Sequence, residues 1–139
     1  MELTVAIREA GRSDLFAVTA IGVEISAERR NAFIPDVAVI DTKPIGGVLK
    51  PENLLLAVEI WSPGDSRRER EDKRTGYAEA GIPFFWTVHQ ERFPSAPTVV
   101  AHRLDGERYV EDVTAVPGTS VTITAAPVPV TFDPANLWP

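Results

Sequence analysis

Residues 54–83 read LLLAVEIWSPGDSRREREDKRTGYAEAGIP, and the rest of the chain is organised around this stretch. Leu54–Val58 is a continuous apolar run between turn-forming residues, a pattern typical of a strand that is covered on both faces. Glu59 follows soon after, and residues 62–64, Ser-Pro-Gly, then end the strand. Burying a carboxylate costs free energy unless a partner compensates it. Glu59 is therefore either solvated or paired with an arginine at the strand exit, or it has a chemical role.

The second half of this stretch predicts a charged helix. Residues 67–80 contain no proline, Ser66 with Glu69 three residues later forms a capping box, and Gly81 marks the end. Gly76 lies in mid-helix, where glycine costs about 1 kcal/mol relative to alanine. We therefore expect a neighbouring element to approach the helix closely at this glycine.

One broad face of the helix carries Arg70, Lys73, Arg74 and Tyr77, which recur at spacings of three and four residues. A charge run of this kind is usually a solvated face with internal salt bridges. For Tyr77, packing into the core explains the position at least as well as a functional contact does. Spacing alone therefore assigns no role to these side chains.

Length and composition exclude several classes of protein. With 139 residues and no cysteine, the chain is expected to be a single domain (1–139) without disulfides or thiol catalysis. His89 and His102 show no metal-ligand spacing, so we interpret them as strand or surface residues. No apolar run spans a membrane and no signal peptide is visible, which makes the cytoplasm the expected location. The net charge of −6 confines any nucleic-acid contact to a local basic patch such as 67–74.

The remaining apolar runs and turn residues predict an α/β or α+β fold with one mixed sheet. A short helix comes first, and Asp105-Gly106 signals a hairpin in a C-terminal group of antiparallel strands. The proline-rich tail is expected to be pinned to the body by Phe132, Leu137 and Trp138. The predicted helix is 3–10, and the predicted strands are 15–25 with a bulge at Gly22, 33–40 interrupted at Pro35-Asp36, 54–58, 84–89, 98–104, 108–113 and 119–124.

Three residues suited to phosphate chemistry are Asp36, Glu59 and Lys73. Asp36 lies near the start of one predicted strand and Glu59 near the end of the next, so antiparallel pairing would bring their carboxylates together. Adjacent carboxylates raise each other's pKa unless a cation intervenes, and hard oxygen ligands suit Mg²⁺ or Mn²⁺. A nearby lysine could orient water or stabilise developing charge. Because Asp, Glu and Lys are common residues, this pattern alone is moderate evidence for a metal site.

A more specific pattern is formed by Pro35-Asp36, Glu59-Ile60-Trp61-Ser62-Pro63, Lys73, Tyr77, Gly81-Ile82-Pro83 and Phe85-Trp86. This combination resembles the Uma-two family of putative restriction endonucleases, which belongs to the PD-(D/E)XK nuclease superfamily. The likeness covers residues 15–139. A Pro-Asp pair alone would mean nothing, whereas the whole combination is fairly specific.

The resemblance implies a restriction-endonuclease-like core in which helices flank a central mixed β-sheet. It also implies that Asp36 and Glu59 bind a divalent metal. The usual lysine position of the superfamily, two residues after the acid, holds Trp61 here. The chain is therefore similar to members whose lysine lies on the following helix, where Lys73 is the matching residue.

From these residues and this resemblance we expect a Mg²⁺- or Mn²⁺-dependent nuclease that hydrolyses phosphodiester bonds, with DNA expected over RNA. The Ile60 backbone carbonyl is a candidate further metal ligand, and Lys73 is expected to position or activate water. Arg70 and Tyr77 are candidates for phosphate contacts. The alternative is a catalytically inactive nuclease fold that binds nucleic acid or protein; the acidic net charge favours it, and the intact Asp-Glu-Lys set favours the enzyme.

The N-terminal segment departs from the family pattern. Relatives usually carry a longer first helix, often with an acidic residue that faces the metal, and no motif assigns that role to Glu9 or Glu24. Three explanations stay open: a truncated start, a missing layer supplied by a partner chain, or lost catalysis. An incompletely covered sheet exposes apolar surface, and such patches mark interfaces, so we expect a homodimer.

Overall fold

The computed structural model describes residues 3–10, 14–19, 21–26, 31–43, 49–90 and 95–137. These residues contain two α-helices and ten strands. The helices are α1 (Leu3–Glu9) and α2 (Arg67–Glu79). The strands are β1 (Phe16–Thr19), β2 (Val23–Ser26), β3 (Asn31–Phe33), β4 (Val37–Ile40), β5 (Leu54–Trp61), β6 (Phe84–His89), β7 (Thr98–Asp105), β8 (Arg108–Ala115), β9 (Val121–Ile123) and β10 (Val130–Phe132).

A six-stranded sheet with the order β1-β4-β5-β6-β7-β8 lies at the centre of the fold. Strands β5 and β6 are parallel, and every other neighbouring pair in this sheet is antiparallel. Because a tight turn cannot join parallel strands, α2 serves as the crossover between β5 and β6. Strands β2–β3 and β9–β10 form separate two-stranded antiparallel sheets. The predicted mixed sheet and extra C-terminal antiparallel strands are confirmed.

The predicted cap and end of α2 and the positions of the two histidines are confirmed. The Ser66 hydroxyl accepts a hydrogen bond from the Glu69 backbone N–H at 3.1 Å, which caps the first turn of α2. Gly81, at a φ of 79°, takes the left-handed conformation that ends the helix. His89 and His102 lie on β6 and β7, in agreement with their interpretation as strand residues. Among the helices that the structure describes, none combines the length and the apolarity needed to cross a membrane.

Two of the predicted strands, 15–25 and 33–40, are each divided between two observed strands. Region 15–25 contains both β1 and β2, which belong to different sheets. β1 pairs with β4 over four residues on each strand, and β2 pairs with β3 instead. The break at Pro35-Asp36 separates β3 from β4, because proline has no N–H to donate to a ladder. Near the C terminus, β9 covers only part of 119–124 and pairs with β10 rather than with the central sheet.

The organising strand is longer than its apolar run. β5 continues to Trp61 because its parallel pairing with β6 extends from Leu56–Phe84 to Trp61–His89. Glu59 therefore lies within the strand and has neighbours on both sides. Alternate side chains divide between the two faces, so Val58 faces one part of the core, whereas Ala57 and Trp61 pack in the part that includes α2.

The C-terminal segment closes the face of the sheet opposite α2. The Trp86 indole N–H donates to the Ala125 carbonyl at 2.8 Å, and Phe132 is buried against the same part of the core. Leu137 packs on this cluster as predicted, whereas Trp138 lies outside the described residues.

Gly76 is the point at which β3 approaches α2. A Cβ atom placed on Gly76 would overlap the ring of Phe33. The same ring packs edge-on against Tyr77, with 5.3 Å between the ring centroids. The close approach expected from a glycine in mid-helix is therefore confirmed.

We expect Gly76→Ala to destabilise the protein although alanine is the better helix former. Overpacking against Phe33 should lower the free energy of unfolding by about 1–3 kcal/mol, measured by urea unfolding. In a Phe33→Ala background the overlap is gone, so the same substitution should become neutral or stabilising by up to about 1 kcal/mol. An equal loss in both backgrounds would show that Phe33 is not the reason for the glycine.

Candidate active site

Asp36 and Glu59 are brought together by the antiparallel pairing of β4 with β5. Val37 pairs with Val58, so the next residue outward on each strand is Asp36 on one side and Glu59 on the other. The exposed Asp36 carboxylate accepts a hydrogen bond from the Ile60 backbone N–H at 2.7 Å. This bond ties Asp36 to the strand that carries Glu59, as the antiparallel arrangement predicted.

The Glu59 carboxylate is held by two side chains of α2. Its side chain is buried, with the residue only 1% exposed. The Lys73 ammonium donates to one carboxylate oxygen at 2.7 Å, and the Tyr77 hydroxyl donates to the other at 2.8 Å. Lys73 and Tyr77 are four residues apart and therefore lie one turn apart on the same helix face. Glu59 is neither solvated nor paired with an arginine, so both ordinary explanations for it are wrong.

Opposing effects act on the protonation of Glu59. Burial raises the pKa of Glu59, the hydrogen bonds from Lys73 and Tyr77 lower it, and the Asp36 charge raises it, with a net increase. Burial and the Glu59 carboxylate raise the pKa of Tyr77, so its phenol stays protonated and donates at neutral pH. The ionised form of Glu59 is thus only partly compensated, and a further cation would stabilise it.

The oxygen atoms around Asp36 fit a hard divalent cation. One Asp36 oxygen accepts the Ile60 N–H, and among the described residues the other accepts no hydrogen bond. The N–H and C=O of one strand residue point towards the same neighbouring strand, so the Ile60 carbonyl lies on the Asp36 side of β5. Mg²⁺ and Mn²⁺ prefer such oxygen ligands. Within the described ranges, no group of three or more histidine and acidic side chains could hold a metal ion.

The two candidate phosphate contacts are placed differently from each other. Tyr77 is fully buried and its hydroxyl is bonded to Glu59, so a phosphate contact is wrong for it and the core-packing alternative holds. The Arg70 guanidinium lies over the Trp61 ring, 5.1 Å from its centroid, and donates to the Ser62 carbonyl at 2.6 Å. Arg70 also lines a cavity beside Trp61.

Comparison with protein families decides to which group the chain is related. The model of the Uma-two family (Uma2), described as putative restriction endonuclease, matches residues 2–133. This chain belongs to the Uma-two family. Asp36, Glu59 and Lys73 all lie within the matched region.

A solved structure extends the comparison to the fold. The Uma-two chain is similar to a putative nuclease of the DUF820 group from Anabaena variabilis, with a TM-score of 0.58 and 16% sequence identity. The match covers 88% of this chain and 68% of that one. At this identity the likeness shows the fold alone, and it confirms the nuclease-like core that the sequence resemblance implied. No curated protein matches this chain.

Sequence reasoning missed two hydrogen bonds that shape the site of this Uma-two protein. The first is the donation from Tyr77 to Glu59, for which the four-residue spacing from Lys73 was the available signal. The second is the donation from the Ile60 backbone to Asp36. No local pattern indicates the second bond, because it depends on where two strands end relative to each other.

We expect Tyr77→Phe to raise the pKa of Glu59 further, because a donor that stabilises the ionised carboxylate is removed. The free energy of unfolding at neutral pH should fall by about 1–3 kcal/mol, since a buried charge loses a partner. Because the folded pKa lies above the unfolded value of 4.5, the part of this loss caused by the pKa change disappears as the pH falls below 4.5. NMR titration of the Glu59 carboxyl carbon measures the pKa, and urea unfolding measures the stability.

Tyr109→Phe is the matched control. Tyr109 is also a buried tyrosine, and its hydroxyl donates to the Ile82 carbonyl at 2.6 Å. This control should lose stability without moving the pKa of Glu59. Equal shifts of that pKa in both variants would contradict the assigned role of Tyr77.

Proposed function

We propose that this Uma-two protein is a metal-dependent nuclease that hydrolyses phosphodiester bonds, with DNA as substrate and Mg²⁺ or Mn²⁺ as cofactor. The observation that carries the proposal is the buried Glu59 carboxylate, which bonds to Lys73 at 2.7 Å and lies next to Asp36, the residue before the start of β4. Membership of a putative restriction endonuclease family and the nuclease-like fold support the reaction class.

Each residue of the site has a role in this proposal. Asp36 and Glu59 would hold the metal ion through their carboxylates, and the Ile60 carbonyl would be a further oxygen ligand. When bound, such an ion supplies Lewis-acid chemistry, because it withdraws charge from a phosphate and makes water a stronger acid. The Lys73 ammonium orients the attacking water and offsets the negative charge that builds up on the phosphate. Tyr77 donates to the Glu59 carboxylate, which orients it and favours its ionised form.

Removal of Lys73 separates catalysis from metal binding. Because its ammonium acts where charge develops, Lys73→Ala should reduce Mg²⁺-dependent DNA cleavage by about 10²-fold or more. Mn²⁺ binding, measured by calorimetry, should survive or strengthen, since Glu59 loses a competing cation. Glu59→Ala should abolish both binding and cleavage. The exposed Lys50 lies outside the site, so Lys50→Ala serves as the control and should change neither.

Other outcomes of this experiment point elsewhere. Unchanged cleavage in Lys73→Ala would show that the observed activity belongs to another site or to a contaminant. If wild-type protein cuts neither DNA nor RNA with Mg²⁺ or Mn²⁺, the chain is an inactive nuclease fold that binds nucleic acid or protein. Failure of the wild type to bind Mn²⁺ would remove the metal from the proposal.

We also propose that the protein is a homodimer whose interface lies beside Asp36. Ile34 and Ile60 are exposed by 60% and 39%, and both lie close to Asp36 along the chain or across the strand pair. Exposed apolar side chains next to a functional site favour a partner surface. Sedimentation should show a dimer that Ile34→Glu dissociates, whereas Val116→Glu, at a residue 49% exposed elsewhere, should leave it intact. A monomeric wild type at high concentration would contradict the dimer.

A further inference from the structure

A cavity of about 650 Å³ opens beside the site of Asp36 and Glu59, which we call the acid site, where β5 and β6 end and α2 begins. Because β5 and β6 are parallel, their carboxyl ends meet at one edge of the sheet, the usual place for ligands in such folds. Trp61 is two residues after Glu59, so the two side chains share one face of the strand. The cavity is lined by Trp61, Ser62, Pro63, Asp65, Arg67, Arg70, His89 and Gln90.

Arg70 lines this cavity and carries a side-chain N–H group that is not satisfied within the described residues. Its guanidinium lies over the Trp61 ring and uses one nitrogen to donate to the Ser62 carbonyl. The Nε atom is buried, and it has no hydrogen-bond partner in the part of the chain that the structure describes. A buried N–H without an acceptor costs about 1–3 kcal/mol, so such groups in native proteins call for an explanation.

The charges around the cavity favour an anion. Arg67 and Arg70 contribute two positive charges, and the start of α2 adds the positive end of the helix dipole. Asp65 is the negative residue of the lining, and its carboxylate already accepts the Ser62 backbone N–H at 2.8 Å. An arginine offers several N–H donors in a fixed plane, which matches the oxygen atoms of a phosphate.

We propose that this cavity is a subsite for one nucleotide next to the phosphodiester that is cut. The proposal rests on the proposed nuclease function and adds the contact that positions the strand. Arg70 and Arg67, which line the cavity, bind the phosphate of that nucleotide through N–H groups of their guanidinium planes. The rest of the volume takes the sugar and base, beside the polar side chains of His89 and Gln90, in a cavity of ordinary ligand size, roughly 300–1,000 Å³.

Binding is tested without metal, so that cleavage cannot influence the result. ¹⁵N NMR follows the Arg70 Nε–H and Trp61 indole signals, assigned with substituted variants, during titration with a deoxynucleoside monophosphate in EDTA. Both signals should shift and saturate, and the same nucleoside without phosphate should bind at least about tenfold more weakly, the loss expected for charge-assisted hydrogen bonds. Equal binding of the nucleoside, or no shift with the monophosphate, would overturn the proposal.

The arginines are tested against a matched neighbour. Arg70→Gln and Arg67→Gln should each weaken binding by about tenfold or more, whereas Arg68→Gln, at an exposed residue of the same turn that does not line the cavity, should change it less than about twofold. Arg70→Lys keeps the charge but loses the planar donors, so it should bind with intermediate affinity. Circular dichroism confirms that each variant is folded. An equal loss of affinity in Arg68→Gln would show that binding depends only on the net charge of the protein, and it would overturn the subsite proposal.

A second titration identifies the source of the phosphate. A single-stranded oligodeoxynucleotide should displace the monophosphate from the same two signals, and Arg70→Gln should raise the KM of cleavage more than it lowers kcat. If the monophosphate binds but the oligonucleotide does not displace it, the cavity holds free nucleotides and the subsite proposal is wrong. If the subsite binds both and no cleavage occurs, the nuclease proposal fails while the binding site stands.

Discussion

The buried Glu59 carboxylate, held between Lys73 and Tyr77, is the interaction on which the rest of the structure depends. A charge that is taken out of water costs free energy unless hydrogen bonds and an opposite charge replace its hydration. Both replacements come from α2, so the helix must cross the sheet at the level of Glu59. The position of α2 as the crossover from β5 to β6 therefore also fixes the geometry around Glu59, because the same helix must supply the partners of its carboxylate.

The packing beneath α2 serves the same constraint. Gly76 allows the Phe33 ring to lie against the helix, and that ring contacts Tyr77 edge-on. Tyr77 is thus confined by packing while its hydroxyl holds Glu59. Because β3 is followed within a few residues by Asp36, the position of Phe33 also bears on where the second acid lies. A change in the core at Gly76 is therefore expected to reach the site.

A site of this kind is a local compromise between stability and chemistry. Burial raises the pKa of Glu59, and the neighbouring Asp36 adds to that effect, so the ionised Glu59 carboxylate is held at a cost that a further cation would relieve. At the cavity beside Trp61 the incompletely compensated group is a cation instead of an anion, because the Nε–H of Arg70 is buried and has no acceptor among the described residues. One strand, β5, carries both Glu59 and Trp61, which lines the cavity.

The sequence by itself determined the strand–helix–strand unit from β5 to β6 and singled out Asp36, Glu59 and Lys73 as candidate site residues. These inferences rest on local signals, namely an apolar run, a cap, a terminal glycine and the spacing of residue types, supported by a family resemblance. Only the tertiary structure decided that region 15–25 divides between two sheets, that Tyr77 bonds to Glu59 and that Arg70 borders a cavity. Hydrophobic periodicity indicates that a side chain is buried but not which distant segment it meets, because that depends on strand pairing and helix packing across the whole chain.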